Sequence, residues 1–345
     1  MKEIHTECEC YVSFMFIRYV QFVNLAPFDL LIYLISDLNR NFPFKWNSCG
    51  DNQSCSSGVC TSWKYRGPSK SSEAETKAII DYAKSIYPNS NRKGNLQTSE
   101  AQMNIAFPST NTGIFIDVHS KGKSLGWPWR HKNEKTPNDR SLGSLGRKMA
   151  SYGGWELWSG TPKMTPSDGG AQDYMYGFLG VPSFFFELGL GFRDCSELPT
   201  IVSQTFGALL YAAKCARTPY ITPLGPDILC TTISSKNRND GRYINVQVSV
   251  SDNARVVHDD DEGTLFQTGR QSIRRVEIYV NCHPYEGSTR CTPTVTKSTT
   301  NAGRTVTTSL EFKAPSSATG TNTNVMYIRT ISSSNIHDIL ICTSC

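Results

Sequence analysis

Three polar groups each follow an apolar run. Asn39 and Arg40 come after "FDLLIYLIS", His119 after "GIFIDV" and Glu187 after "SFFF". Polar residues leaving buried strands are placed where active sites form, because loops on a rigid sheet shape a crevice there. Their chemistry is complementary: an imidazole can hold a metal, a carboxylate in an apolar setting can take a proton from water, and an amide beside a guanidinium can clamp a carboxylate. Together they describe hydrolysis of a substrate that ends in a carboxylate. Any one of them alone reads equally well as a surface residue leaving a strand; three complementary types at three strand exits favour the functional reading.

The elements that must position these residues alternate in type. "SSEAETKAIIDYAKSIYP" has Ser71 and Ser72 as cap candidates, Glu73 and Glu75 in the first turn, and Ile79, Ile80, Tyr82, Ala83 and Ile86 on one face, so it predicts an amphipathic helix. "SLGSLGRKMASYG" and "TIVSQTFGALLYAAKCA" predict two more, while "GIFIDVHS" and "SFFFELG" are continuous apolar strands. Such strands flanked by helices predict an α/β domain, its sheet covered on both faces. A Pro-rich linker, 219–227, ends this pattern. Beyond it "YINVQVSVSD", "SIRRVEIYVN", "TVTTSLEFKA" and "NVMYIRTIS" alternate polar and apolar between turn residues, which predicts a small β-sandwich over 228–345.

At 345 residues the chain is long enough for two domains. Its net charge is +5, but Lys and Arg are scattered, and nucleic acid is not an expected partner. Twelve cysteines, with local groups Cys49/Cys55/Cys60, Cys282/Cys291 and Cys342/Cys345 in polar loops, predict disulfides and a secreted protein. The segment 1–36 does not fit this picture. "MKEIHTECEC" is acidic where a signal peptide is basic, and the apolar stretch after it is interrupted by Arg18, Gln21, Asn24, Pro27 and Asp29, so a membrane span is not expected.

"DLNRNFPFKW", "YRGPSKSSEAET", "FIDVHS" followed by "GWPWR", "DGGAQDYMYGFLGVPSFFFELG" and "ALLYAAKCARTPYITPLGPD" resemble, in order and spacing, the zinc carboxypeptidase family, above all its bacterial-type secreted members. The resemblance covers residues 37–227. It implies a mixed, mainly parallel eight-stranded sheet between helices for 37–218, and a zinc cofactor. It also implies that His119 is the third zinc ligand, that Asn39 and Arg40 hold the terminal carboxylate of a peptide, and that Glu187 is the general base. Gln172 falls where the family sets the base of the side-chain pocket; its neutral amide argues weakly against basic residues. The implied partners are peptide or protein C-termini, and a monomer is expected.

The chain also departs from the family pattern. The H-x-x-E pair that supplies the first two zinc ligands upstream of the Asn-Arg motif, and the W-R-K segment with the oxyanion Arg, are not found before Asn39, so the family domain is expected to be N-terminally incomplete. "HKNE", residues 131–134, has the right letters in the wrong place and is expected not to bind zinc. Arg18 lacks the W-R-K context, and Thr165 stands where the family places a substrate-capping Tyr. Two alternatives to a metallocarboxypeptidase stay open: a non-catalytic carboxylate-binding relative, and a binding or adhesion role carried by the β-sandwich. In the latter, "HDDDEG", 258–263, could be a calcium loop.

Overall fold

The computed structural model describes residues 36–50, 55–87, 103–120, 122–158, 165–189, 197–251, 273–282, 284, 291–299, 305–315, 325–332 and 337–342. The apolar stretch before Ser36 and the acidic run 258–263 lie outside them. The chain divides into two units, Met1–Tyr220 and Ile221–Cys345.

The first unit is mixed α/β. After a single 3-10 turn at Leu38–Arg40, its elements are α1 (Ala74–Ile86), β1 (Phe115–His119), β2 (Ser124–Gly126), α2 (Asp139–Ala150), β3 (Glu156–Trp158), α3 (Ala171–Gly177), β4 (Ser183–Glu187) and α4 (Leu198–Cys215). The four strands lie in the order β1-β4-β2-β3. β1 runs parallel to β4 and β2 parallel to β3, while β2 and β4 are antiparallel, so the sheet is mixed. The continuous apolar runs are explained by burial: Phe115, Ile116, Phe184, Phe185 and Phe186 are all buried, as is Leu125 on β2.

α1 forms where its pattern predicts, with Thr76, Ile80 and Ala83 facing inward, but Tyr82 is exposed. Its start differs from expectation. Neither Ser71 nor Ser72 caps it; Glu73 occupies that position, its N–H accepted by Asn41 Oδ1 (3.2 Å), while Ser72 Oγ donates to Glu73 Oε1 (2.6 Å). A buried amide from the preceding loop thus satisfies the N–H of the N-cap residue itself, while no N-cap side chain bonds the first helical N–H groups. The short strands β2 and β3 and the seven-residue α3 carry no periodic signal long enough to be read in advance.

The second unit contains two antiparallel sheets, β5-β6-β9 and β11-β10-β7-β8, built from β5 (Asp227–Arg238), β6 (Gly241–Ser251), β7 (Ile273–Val280), β8 (Val295–Ser298), β9 (Thr305–Lys313), β10 (Met326–Ser332) and β11 (His337–Cys342). Alternate residues of five of these strands form one core: Ile228 from β5, Val246, Val248 and Val250 from β6, Val276 and Ile278 from β7, Leu310 from β9 and Ile328 from β10. This follows from the strand period of two, which sends every second side chain to the same face.

Gly126 on β2 is where packing around the sheet is tightest. A Cβ there would drive into the Trp158 carbonyl and the Phe185 ring, neither of which can swing away. Gly126→Ala is therefore expected to lower unfolding free energy by about 3 kcal/mol, the upper part of the usual range for overpacking. Denaturant unfolding of the two proteins checks this, and an unchanged midpoint contradicts the packing described.

Candidate active site

β1 and β4 end together. Their parallel register pairs Asp117 with Phe185 and His119 with Glu187, and the strand period puts all four side chains on one face of the sheet. The 3-10 turn Leu38–Arg40 lies against that end, and α3 approaches from the other side. Asn39 joins the two, its Oδ1 accepting from the Ala171 N–H (2.8 Å).

Asp117 is the centre of the arrangement and is only 1% exposed. Its Oδ2 lies 2.7 Å from His119 Nε2 and accepts from Gln172 Nε2 at 2.6 Å and from Asn39 Nδ2 at 3.1 Å. Burying a carboxylate is costly unless donors surround it, and here three segments of the chain supply them. A small cavity opens beside it, lined by Leu38, Asn39, Phe42, Ile79, Asp117, His119 and Ala171.

Burial by itself would lower the pKa of His119. The Asp117 carboxylate, through its charge and its hydrogen bond, outweighs that with help from Glu187 and Asp37, and lifts it to about 9. The ring is therefore protonated at neutral pH, with its Nε2–H directed at Asp117 Oδ2, and Nδ1 would have to give up its proton to serve a metal. It also means that the 3.1 Å approach of Asn39 Nδ2 to the same Nε2 is a donor facing a donor. One N–H of Asn39 is thereby left for an acceptor that is not the ring.

Arg40 is oriented by backbone carbonyls. Its Nε donates to Cys55 O (3.1 Å) and its Nη1 to Asn39 O (2.8 Å), with Asp37 Oδ2 at 3.9 Å. Cys55 is held in turn by its disulfide to Cys49, so an expected disulfide fixes the loop that aims the guanidinium. Cys282–Cys291 is bonded as well, while Cys60 is a free, exposed thiol and the Cys342/Cys345 pair lies partly outside the described residues. Gly169 completes the contact. Its φ of +64° suits glycine, and a Cβ would strike the Arg40 carbonyl.

Glu187 is half-buried. Burial raises its pKa above the ordinary carboxylate value; His119 and Arg130 oppose this, Asp117 adds to it, and Arg40 again opposes. A carboxyl so placed is suited to accept and return a proton.

The structure thus gathers Asn39, His119 and Gln172 around one carboxylate, with Glu187 beside His119 and Arg40 adjoining Asn39. Gln172 is buried with its nitrogen committed to Asp117, rather than open at the base of a pocket. Thr165 is exposed, and Tyr174 and Tyr176 are core residues. In "HKNE", His131 Nδ1 pairs with Asp173 Oδ2 (2.6 Å), and Glu134 pairs with Lys132 (2.7 Å) at the surface. Asp117 was not singled out from the sequence. Its signal was an acidic residue two positions before a histidine in an apolar strand, a spacing that puts both on one face.

A catalytic zinc needs three protein ligands and an open position. Among the described residues the one grouping of three metal-binding side chains is Cys49, Cys55 and Asp168, away from His119, and its cysteines are joined to each other. His119 is oriented as a metal ligand is, by a carboxylate on its second nitrogen, but the described residues do not complete a zinc site around it.

Comparison with known proteins places this geometry. Residues 36–206 match the family described as zinc carboxypeptidase, and through this stretch the chain belongs to that family. It is similar to carboxypeptidase B of Helicoverpa zea, 28% identical over 164 residues, 44% of this chain and 32% of that protein. It is 27% identical over 191 residues to carboxypeptidase B of Rattus norvegicus, 52% of this chain and 39% of that protein. The chain thus spans about a third to two fifths of the length of these relatives. Among solved structures, carboxypeptidase A of Helicoverpa armigera aligns at 20% identity and a TM-score of 0.38, over 53% of this chain and 42% of that one. Thrombin-activatable fibrinolysis inhibitor aligns at 24% and 0.38, over 54% and 44%.

The pKa of Glu187 sets a test with a definite sign. A carboxyl whose pKa is raised on folding binds its proton more tightly in the native state, so its ionisation opposes folding as pH rises above the unfolded value of 4.5. Glu187→Gln is expected to melt at a higher temperature than the parent near neutral pH, with the gap closing below about pH 4.5. Thermal melts across pH 3.5 to 7.5 check it; a variant less stable at neutral pH contradicts the placement of Glu187.

Proposed function

We propose that this site binds the C-terminal end of a peptide and belongs to a peptide hydrolase that releases C-terminal amino acids. The observation that carries the reading is the pairing of an oriented guanidinium with a spare amide donor. Arg40 is aimed by two backbone carbonyls, and Asn39 next to it keeps one N–H that the protonated His119 cannot accept. A guanidinium and an N–H side by side match the two oxygens of a carboxylate. Glu187, across from His119 at the sheet end, is the group to take a proton from the attacking water and return it to the leaving amine. Zinc is the metal that the family's name carries, and His119 is the residue of this chain oriented to bind it. The disulfides and the relatives support a secreted enzyme acting on free peptides or protein C-termini.

A second reading is favoured by one observation, the single oriented ligand. If His119 has no fellow ligands, the same Asn39 and Arg40 still recognise a carboxylate, and the protein binds C-termini without cleaving them.

Arg40→Ala is expected to weaken binding of free-carboxylate peptides by about a hundredfold, within the range for truncating one partner of a desolvated charge pair. If the chain cleaves, Glu187→Gln is expected to lower release of the terminal amino acid by at least about a hundredfold. Calorimetry with a peptide and its C-terminal amide, and mass spectrometry of the digested peptide, check both. Equal affinity for acid and amide contradicts the carboxylate reading; binding without release selects the second reading.

A further inference from the structure

Arg130 has no part in the chemistry above, yet it stands on the same face of the sheet. Its guanidinium lies over the Phe185 ring, 4.4 Å from the centroid. Phe185 is in register with Asp117 on β4, two residues before Glu187, so a group stacked on its ring is held beside the reactive end of the strands. The backbone is clamped too. Arg130 N donates to Asp173 Oδ1 (2.9 Å), and the N–H and Nδ1 of His131 both meet Asp173 Oδ2, at 2.9 and 2.6 Å. Asp173 follows Gln172 on α3, so the loop carrying Arg130 is pinned to the helix turn that faces Asp117.

Two of the carboxylates around this arginine, Asp173 and Asp117, are hydrogen-bonded to other donors. Asp173 is bound on both oxygens by backbone and imidazole donors. Asp117 Oδ2 takes Gln172, His119 and Asn39. Nη1 of Arg130 is buried and has no hydrogen-bond partner among the described residues. A desolvated guanidinium nitrogen without an acceptor is costly, and a protein tolerates one where a ligand supplies the acceptor. Burial, then the like charge of Arg40, pull its pKa to about 10 against Asp173, Glu187 and Asp117, which still leaves it fully charged at neutral pH. The site therefore holds two guanidinium groups that sense each other's charge, one aimed by backbone carbonyls and one whose buried Nη1 has no acceptor among the described residues.

We infer that Arg130 is a specificity residue, which receives the side-chain carboxylate of a C-terminal glutamate or aspartate while Arg40 receives the main-chain carboxylate. This rests on the carboxy-terminus reading above and narrows it to acidic terminal residues. The contact with Phe185 holds the guanidinium beside Asp117 on the same face of the sheet, where a ligand carboxylate would meet it.

The test uses the full chain and four peptides alike except at the last position: Glu, Gln, Lys, and Glu with its terminal carboxylate amidated. The expected order of affinity in calorimetry is Glu over Gln by about tenfold or more, and Gln over Lys. Arg130→Gln should bring the Glu-to-Gln ratio close to one, Arg130→Lys should keep part of it, and Arg130→Glu should turn the preference toward Lys, with circular dichroism melts reporting whether each variant folds. Equal binding of Glu and Gln by the parent, which needs no variant to fold, overturns the proposal. So does a preference that survives Arg130→Gln. If the acid peptides bind no better than the amidated one, the carboxy-terminus reading itself has failed, and this inference fails with it.

Discussion

One carboxylate oxygen, Oδ2 of Asp117, is met by side chains from three separate parts of the chain: Asn39 from the 3-10 turn, His119 from its own strand and Gln172 from the short helix after Gly170. A charge buried to this degree would be strongly unfavourable alone, so the three donors and the acceptor hold each other in place. Removing the acceptor would strand three donors at once. The same oxygen takes the Nε2–H of His119, which leaves that nitrogen unable to accept from Asn39.

Around that hub the charges are arranged in layers. Arg40 is held by the backbone of a disulfide-bonded loop, Arg130 by an aromatic ring and by the carboxylate that pins its loop, and Glu187 at the end of β4 senses both charges. These supports are main-chain groups, a disulfide, a buried ring and the buried Asp173 carboxylate. Rigid supports are what a site for a small charged ligand requires, since the side chains are already oriented when the ligand arrives. The signs of the pKa shifts agree: His119 is pushed up and stays protonated against Asp117, and Glu187 is pushed up toward the range where it can exchange a proton.

Much of this was legible from residue order. The apolar runs ending in His119 and Glu187 became the paired ends of a parallel strand pair, the helix over Ala74–Ile86 formed with Ile80 and Ala83 buried though Tyr82 is exposed, and the Ser/Thr-rich C-terminal region gave alternating strands. The start of α1 was not legible, because its N-cap is Glu73, whose N–H is held by Asn41, distant in sequence. Asp117 escaped for a related reason. An acid inside an apolar strand looks like an interruption until the strand period shows that it shares a face with His119. Arg130 was hidden inside "GWPWR", which reads as loop sequence; only the positions of Phe185 and Asp173 reveal that its guanidinium faces the site. Side chains whose role depends on partners far along the chain carry no local signal.

The measurement that bears most directly on the Asp117 hub is the pKa of the His119 ring, followed by NMR in the parent and in Asp117→Asn. The parent is predicted to titrate near 9, and the variant below the ordinary histidine value of about 6.5, because burial then acts without the opposing carboxylate. The stabilising contribution of the protonated ring should be complete below about pH 6.5 and disappear as pH rises through about 9 in the parent alone. A His119 that titrates at the same pH in both proteins would contradict the account, since Asp117 would then not be what holds the ring or the groups around it.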